Sequence, residues 1–446
     1  MRHFVPRSKS WAHSALGCPV DLFTLAISLY RTFRALRHRN YRLFFIGQGL
    51  SMVGTWLQQV AMGWLTYRLT GSAWLLGVVA FCANVGILLF GTWAGVLADR
   101  VRRRRALYLT QSLMLAQAVV LTLLTALDWI QVWQLIALSL WLGVVSAFDI
   151  PIRQSLYVHL VEDRKDLPNA IALNSFLVNG ARVIGPALAG LLLAIVSEAV
   201  CFALNALSFV AVIFAVSRMH FPREPGPTSR SVGWWASWVE GFRYVWQSAP
   251  ARALLVLVAA LAWTVAPYSS LMPIFAKDVY GGGPHTLGFL LAAAGGGALM
   301  STFYLASREN LRGLGRVIAL SAAICGVGLA TFAYMSLFAV ALVLMIAVGG
   351  GLILAAASAN TILQTIVDDS LRGRVAGFYT LAFLGVAPLG NLAAGALAAR
   401  FSAPAAFAIN GVIATLAAAW FWQQLPGIRH ALRATYRQLG IIGPER

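Results

Sequence analysis

Charge, and negative charge above all, is what this chain has least of. Asp and Glu number 15 against 34 Lys plus Arg, and charged residues make up 11% of 446 positions, where an average soluble domain carries roughly 25%. Lysine occurs only at Lys9, Lys165 and Lys277, following Ser, Arg and Ala. A Gly-rich phosphate loop ending in Gly-Lys is therefore missing, and ATP is not the direct energy source. The four cysteines, Cys18, Cys82, Cys201 and Cys325, stand far apart without a CxxC pair, which indicates neither a disulfide framework nor a thiolate metal site. All seven histidines, His3, His13, His38, His159, His220, His285 and His430, fall in tails or loops. No histidine pair is available inside an apolar segment to hold a haem. No cofactor or metal is expected, and the chain does not read as an enzyme.

Apolar length is what the chain has in excess. Hydrophobic residues make up 59% of it, more than a water-soluble core requires. Runs of ~20 apolar residues, enough to cross ~30 Å of hydrocarbon at 1.5 Å per residue, recur throughout. Twelve spans are predicted, at 43–67, 73–98, 105–127, 131–155, 170–194, 198–217, 253–276, 285–306, 315–335, 337–361, 373–399 and 403–423. Their Gly, Ala and Leu content and their length read as helices and not as barrel strands that alternate apolar and polar residues. The fold class is all-α and integral to a lipid bilayer.

A formal charge of +19 in a soluble protein would suggest nucleic acid, but here the charge is one-sided. With the amino terminus inside, the outside loops hold only Arg68, Lys277 and Arg400, and Arg182 lies inside a helix. The remaining basic residues face the cytoplasm, which is the positive-inside pattern and makes nucleic-acid binding unnecessary. The expected organisation is a cytoplasmic tail at 1–42, a six-helix bundle at 43–217, a cytoplasmic linker at 218–251, a second bundle at 252–424 and a cytoplasmic tail at 425–446. Ala15-Leu16-Gly17-Cys18 resembles a lipoprotein cleavage site but follows no apolar core. Leu22 to Tyr30 reads as a poorly ordered tail or a short surface helix.

The two bundles share their punctuation. Gln154, Leu160-Val161-Glu162-Asp163 and Asn169-Ala170 around spans four and five are matched by Gln364, Ile366-Val367-Asp368-Asp369 and Arg374-Val375 around spans ten and eleven. Span five carries Gly185-Pro186 and Gly190, and span eleven carries Gly385, Pro388 and Gly390. Such matched breakers are expected of duplicated bundles that face each other across a substrate path.

Gly95-Val-Leu-Ala-Asp99-Arg100-Val-Arg-Arg103-Arg104 resembles the loop motif between spans two and three of the major facilitator superfamily, with Arg102 where that family usually has Gly. Gly180-Ala-Arg182-Val-Ile-Gly185-Pro186-Ala-Leu-Ala-Gly190 resembles the Gly-Pro motif of the superfamily's antiporters. The run from Phe148-Asp149 through Arg153-Gln154 to Asn174-Ser175 is similar to the branch of siderophore exporters and macrolide efflux proteins. The resemblance covers about residues 35 to 424. It implies a monomeric proton antiporter that exports an amphipathic organic solute, energised by the proton gradient. Dedicated export of a siderophore-like metabolite is the alternative within transport, and a sensor or assembly protein on the same fold is the alternative outside it. In this family Asp99 would contact the start of span eleven near Leu371 to Arg374 and close an inner gate, while Gly95 lets helices approach.

Ionisable residues at membrane depth are costly, by ~2.5 to 3.5 kcal/mol, and so are the foremost functional candidates. Asp149, Arg153 and Arg182 are the proton-coupling or ion-pair candidates. Asp149 fits a gate lock with Arg103, a proton carrier, or a static pair. Arg182 fits a partner for an anionic substrate, or an arginine satisfied by Asn174, Asn179 or Asp149. Glu198, on the outer turn after span five, is expected to be solvated. The family's cavity helices supply Trp56, Gln58, Gln59, Trp64, Trp141, Trp263, Tyr268, Asn360 and Gln364, with Asn174 from span five. These aromatics and amides suit a large amphipathic ligand, or else face lipid and core.

Overall fold

The computed structural model describes residues 33–219, 234–308, 312–368 and 371–438. Every regular element among them is helical. In chain order these are α1 (Arg39–Thr70), α2 (Ala73–Arg100), α3 (Arg103–Ala126), α4 (Val132–Leu160), α5 (Leu167–Leu193) and α6 (Glu198–Arg218). They are followed by α7 (Trp234–Gln247), α8 (Ala249–Val279), α9 (Pro284–Ala306), α10 (Leu314–Phe332), α11 (Phe338–Ile366), α12 (Arg372–Arg400) and α13 (Ala403–Gln438).

Eleven of the described helices are long and apolar enough to cross a membrane. The remaining expected crossing, α1, is 32 residues long, about 48 Å at 1.5 Å per residue. Its arginines and glutamines dilute its apolar character, yet it packs along α5 and α6 as one of twelve long rods. Arginines cluster at one end of the bundle, the basic face, where the described chain both begins and ends. Gly71, at φ 60°, stops α1 at the opposite, far face in a left-handed turn that most side chains avoid.

The chain departs from the expected boundaries at three places. Residues 33–38 form a docked turn, Arg34–Arg37, before α1, so the amino-terminal tail is shorter than 42 residues. Cys18, the Ala15–Cys18 run and Leu22 to Tyr30 lie outside the described residues. The 218–251 linker contains α7, whose Trp238 and Phe242 rings pack on Phe378 of α12. Its residues 220–233 lie outside the described set. Helix α13 runs past residue 424 to Gln438, because its last turns continue unbroken beyond the apolar segment.

Helices α1 to α6 pack mutually, chiefly α2 on α4 and α6 on α1 and α3. Helices α8 to α13 do likewise, chiefly α11 on α9 and α10, and α13 on α10. Lipid offers no hydrophobic gain on helix contact, so close backbone approach supplies the attraction. In the second group the rings of Phe275, Phe332 and Phe407 fill the far-face core with centroids 4.5 to 5.9 Å apart. Large apolar side chains such as Leu109, Leu207, Val343 and Leu416 are exposed around the outside.

The two groups meet along α5–α9 and α2–α12. Near the far face these seams are backbone to backbone: a Cβ added to Gly190 would lie 2.7 Å from the Gly288 Cα, and one on Gly77 would lie 2.7 Å from the Asn391 carbonyl. Toward the basic face the α2–α12 seam ends. A Cβ on Gly95, Gly373 or Gly377 would meet nothing within 4 Å. Helix α8 ends in a widened turn, with Tyr280 N–H donating to Phe275 O, and α12 is interrupted at mid-length by another, with Val386 N–H donating to Leu381 O. Such five-residue hydrogen bonds mark local helix irregularity at functional positions.

Candidate functional site

Asp149 lies in the basic-face half of α4 and is 1% exposed. Its Oδ1 accepts from Thr110 Oγ1 at 2.7 Å and from Gln111 Nε2 at 2.8 Å, both on α3. Its Oδ2 pairs with Arg153 Nη2 at 3.0 Å, one turn along the same helix. A carboxylate at membrane depth thus has a cation beside Oδ2 and two neutral donors on Oδ1, while Oδ2 itself accepts no hydrogen bond. Neither Arg103 nor Arg182 is among its partners. The lock with Arg103 and the pair with Arg182 are not formed, because Asp149 sits on the face of α4 turned toward α3.

Arg182 lies near the midpoint of α5. Its guanidinium carbon stands 5.6 Å from the centre of the Trp56 ring on α1, and its Nε is buried without a hydrogen bond. Among the described residues no carboxylate lies within ion-pair distance of it. Asn179, a partner suggested by the sequence, donates to Ser175 O at 2.9 Å instead. Tyr268, beside the break in α8, lies near Arg182. The local packing is tight: a Cβ on Gly185 would fall 2.4 Å from the Trp56 Cβ, and one on Gly295 of α9 would fall 2.4 Å from the Arg182 carbonyl oxygen. Glycine at these two positions is what lets α1 and α9 close on α5 around the arginine.

The remaining sequence candidates divide sharply. Gln58 is 1% exposed and faces no cavity. It donates to Gln117 Oε1 at 3.1 Å and accepts from Asn205 Nδ2 at 2.8 Å, tying α1 to α3 and α6. Gln59, one residue on, is exposed, Trp64 is half-buried, and Trp141 and Trp263 are each 41% exposed. Asn174 is half-buried, and Gln364 Nε2 reaches Asn360 Oδ1 at 3.5 Å within α11. Of the span-five motif, Gly180 is open, Pro186 is buried, and Gly185 and Gly190 sit at close helix approaches.

In the loop motif Gly95 makes no close approach, contrary to expectation, because the basic-face ends of α2 and α12 stand apart. Arg100 is exposed. Arg103 and Arg104 open α3, and Arg104 Nη2 donates to Ser217 O at 3.2 Å. The side chain of Asp99 lies outside the described residues. The start of α12 is contacted by α7. Glu240 pairs with Arg374 at 2.6 Å, and Phe378 packs on the rings of Trp238 and Phe242 at 5.6 and 6.3 Å.

A family model described as transmembrane secretion effector matches residues 30–435 of this sequence. The chain belongs to that family, within the major facilitator superfamily. It is a multi-pass membrane transporter and not an enzyme. Among curated relatives, the staphyloferrin A transporter of Staphylococcus aureus is 26% identical over 83% of this chain and 92% of its own length. The multidrug efflux pump Tap of Mycolicibacterium fortuitum is 28% identical over 77% and 86%, and the enterobactin exporter EntS of Shigella boydii 25% over 83% and 88%. The fold matches that of a POT family transporter crystallised with 5-aminolevulinic acid at a TM-score of 0.70 and 12% identity, covering 87% of this chain and 96% of that one.

In this family member three polar clusters escape a reading of the sequence. At the far face the Tyr67 hydroxyl of α1 hydrogen-bonds the Asp278 carboxylate of α8, and Lys277 stands 5.5 Å from the Tyr67 ring centre. This joins the first helix group to the second across 211 positions, with no local signal. Glu198, expected in solvent, is buried and takes Arg68 Nε at 2.8 Å and Nη2 at 3.2 Å, because α6 begins against the end of α1. At the basic face Asp166 accepts from Arg37 and His38, each at 2.8 Å, and pairs with Arg34. The His38 hydrogen bond first, and then the two arginine charges, hold the Asp166 carboxyl below its ordinary range against the opposing effect of burial.

Proposed function

We propose that this chain is a secondary active exporter, moving an amphipathic organic solute out of the cell by alternating access in exchange for protons. The observation that carries the reading is the asymmetry of the seam between the helix groups. They are sealed backbone to backbone at Gly190–Gly288 and Gly77–Asn391 near the far face, whereas toward the basic face a Cβ on Gly95, Gly373 or Gly377 would meet nothing within 4 Å and α5 meets α9 through the rings of Phe176 and Phe303 at 6.2 Å. The positive-inside rule turns the basic face, with both termini, toward the cytoplasm. The solute then enters between the groups from inside and leaves when the far seam and the Tyr67–Asp278 contact open.

Asp149 serves as the proton-carrying group. It is a membrane carboxylate whose donors and paired cation come from two helices, so relative movement of α3 and α4 changes its hydrogen bonds and with them its affinity for a proton. Relatives named for enterobactin, staphyloferrin A and drugs support an organic cargo.

The deciding experiment is solute uptake into everted vesicles across a panel of amphipathic compounds, with and without an imposed proton gradient. Gradient-dependent accumulation of at least one compound is expected. Accumulation indifferent to collapse of the gradient removes proton coupling, and no accumulation of any compound favours a sensor or assembly role. Reporters fused after Arg437 should read as internal.

A further inference from the structure

We infer that Arg182, Trp56 and Tyr268 form the binding seat for an anionic aromatic group of the transported solute. The inference rests on the reading of the chain as an exporter of organic solutes, and it adds the chemical class. An arginine at membrane depth is retained only with a counter-charge, backbone carbonyls, water or a ligand to receive it. Among the described residues no carboxylate lies within ion-pair distance of Arg182, and the intramembrane acid Asp149 is engaged by Arg153, Thr110 and Gln111. Arg182 as a residue keeps partial exposure, although its Nε is buried.

The surroundings define the ligand. A guanidinium presents parallel N–H donors that match a carboxylate or a pair of adjacent phenolate oxygens. The Trp56 ring, 5.6 Å from the guanidinium carbon, offers an apolar face beside that fork on which an aromatic ring can lie. Trp56 is fixed there, since its Cβ rests against Gly185 where no other side chain fits. Tyr268 comes from the second helix group, and its hydroxyl makes no hydrogen bond to a described residue. It is free to donate to the same anion. Arg182 and Trp56 come from one group and Tyr268 from the other, and carriers of this architecture hold their cargo between the groups. Binding of an anion there neutralises a charge that no described carboxylate compensates.

The test uses purified full-length protein in phosphatidylcholine nanodiscs, where no anionic lipid competes, and equilibrium binding of 1-naphthoate against its neutral counterpart 1-naphthamide. Wild-type protein should prefer the anion by about ten- to a hundredfold, as expected for a charged hydrogen-bond pair. Arg182→Gln should erase the preference while leaving 1-naphthamide binding, which also reports that the variant is folded. Arg182→Lys should keep part of the preference, Trp56→Leu should weaken both ligands, and Tyr268→Phe should weaken the anion alone. An unchanged preference in Arg182→Gln overturns the proposal, as does wild-type protein that favours neither ligand. Loss of naphthoate binding on replacing half the lipid with phosphatidylglycerol would assign the arginine to a lipid headgroup and overturn it as well. Gradient-driven export of anionic aromatic solutes, undiminished in Arg182→Gln, would sink this seat and leave the exporter reading standing. Anion preference lost in Arg182→Gln but without gradient-driven export in wild type would do the reverse.

Discussion

Replacing Gly190 with alanine should push the transporter toward the state open at the far face. The added methyl carbon would lie 2.7 Å from the Gly288 Cα, 3.0 Å from the Pro284 carbonyl oxygen and 3.1 Å from the Gly288 nitrogen. All three are backbone atoms and none can rotate away. Ordinary contact begins at 3.4 Å, so α5 and α9 must separate by about 1 Å, at an overpacking cost of about 1 to 3 kcal/mol. That cost falls only on the state in which the seam is closed. The closed-to-open ratio should therefore drop by roughly 5- to 150-fold. Spin labels at Asp128 and Arg400, exposed far-face positions in different helix groups, would report it in a Cys18→Ser background whose other cysteines are buried. Electron–electron distance distributions should gain a longer component in Gly190→Ala. Gly180→Ala, on the same helix but with nothing within 4 Å, should match wild type. A Gly190→Ala distribution identical to wild type in well-folded protein would refute the idea that this seam is the far gate.

Asp149→Asn should abolish gradient-driven export in everted vesicles while downhill exchange persists; wild-type accumulation in this variant removes Asp149 as the proton carrier. Tyr67→Phe deletes the hydrogen bond to Asp278 and should weaken far-face closure by about 1.5 to 3 kcal/mol, seen as a smaller shift of the same spin-label distances; no shift would make the contact incidental. Asp166 has a lowered pKa, so its contribution to docking residues 33–38 is present above the ordinary carboxylate value near 3.9 and lost as pH falls through the lower folded value. Hydrogen exchange at Ala35 and Leu36 should stay slow at pH 5 and become fast in Asp166→Asn at that pH. Equal protection in the two proteins would count against the clasp.

Legibility in the sequence followed the range of the interaction. Helix existence and order depend on runs of ~20 apolar residues, a local property, and eleven of the predicted crossings meet the length and apolarity of a span in the structure. The superfamily was legible because Gly95 to Arg104 and Gly180 to Gly190 are contiguous motifs. Partner choice was not. Asp149 was foreseen as a deep acid, but its pairing with Arg153 and not with Arg182 depends on which way α4 is turned. Gln58 and Gln59 are adjacent in sequence, yet one is locked to Gln117 and Asn205 and the other is exposed. Glu198 became buried because Arg68, 130 positions earlier, ends beside it.

The amino-acid sequence by itself determined that this is a polytopic helical membrane transporter with a basic face, since hydrophobic length and charge placement act residue by residue in the bilayer. Only the tertiary structure decided which helix faces meet, which polar groups are satisfied and where the two groups part. In a soluble helix one polar face reveals the orientation, whereas in lipid the outer face and the core face are equally apolar. Rotation about each helix axis is then fixed by close packing at glycines such as Gly185 and Gly190 and by long-range polar pairs such as Tyr67 with Asp278, neither of which hydropathy records.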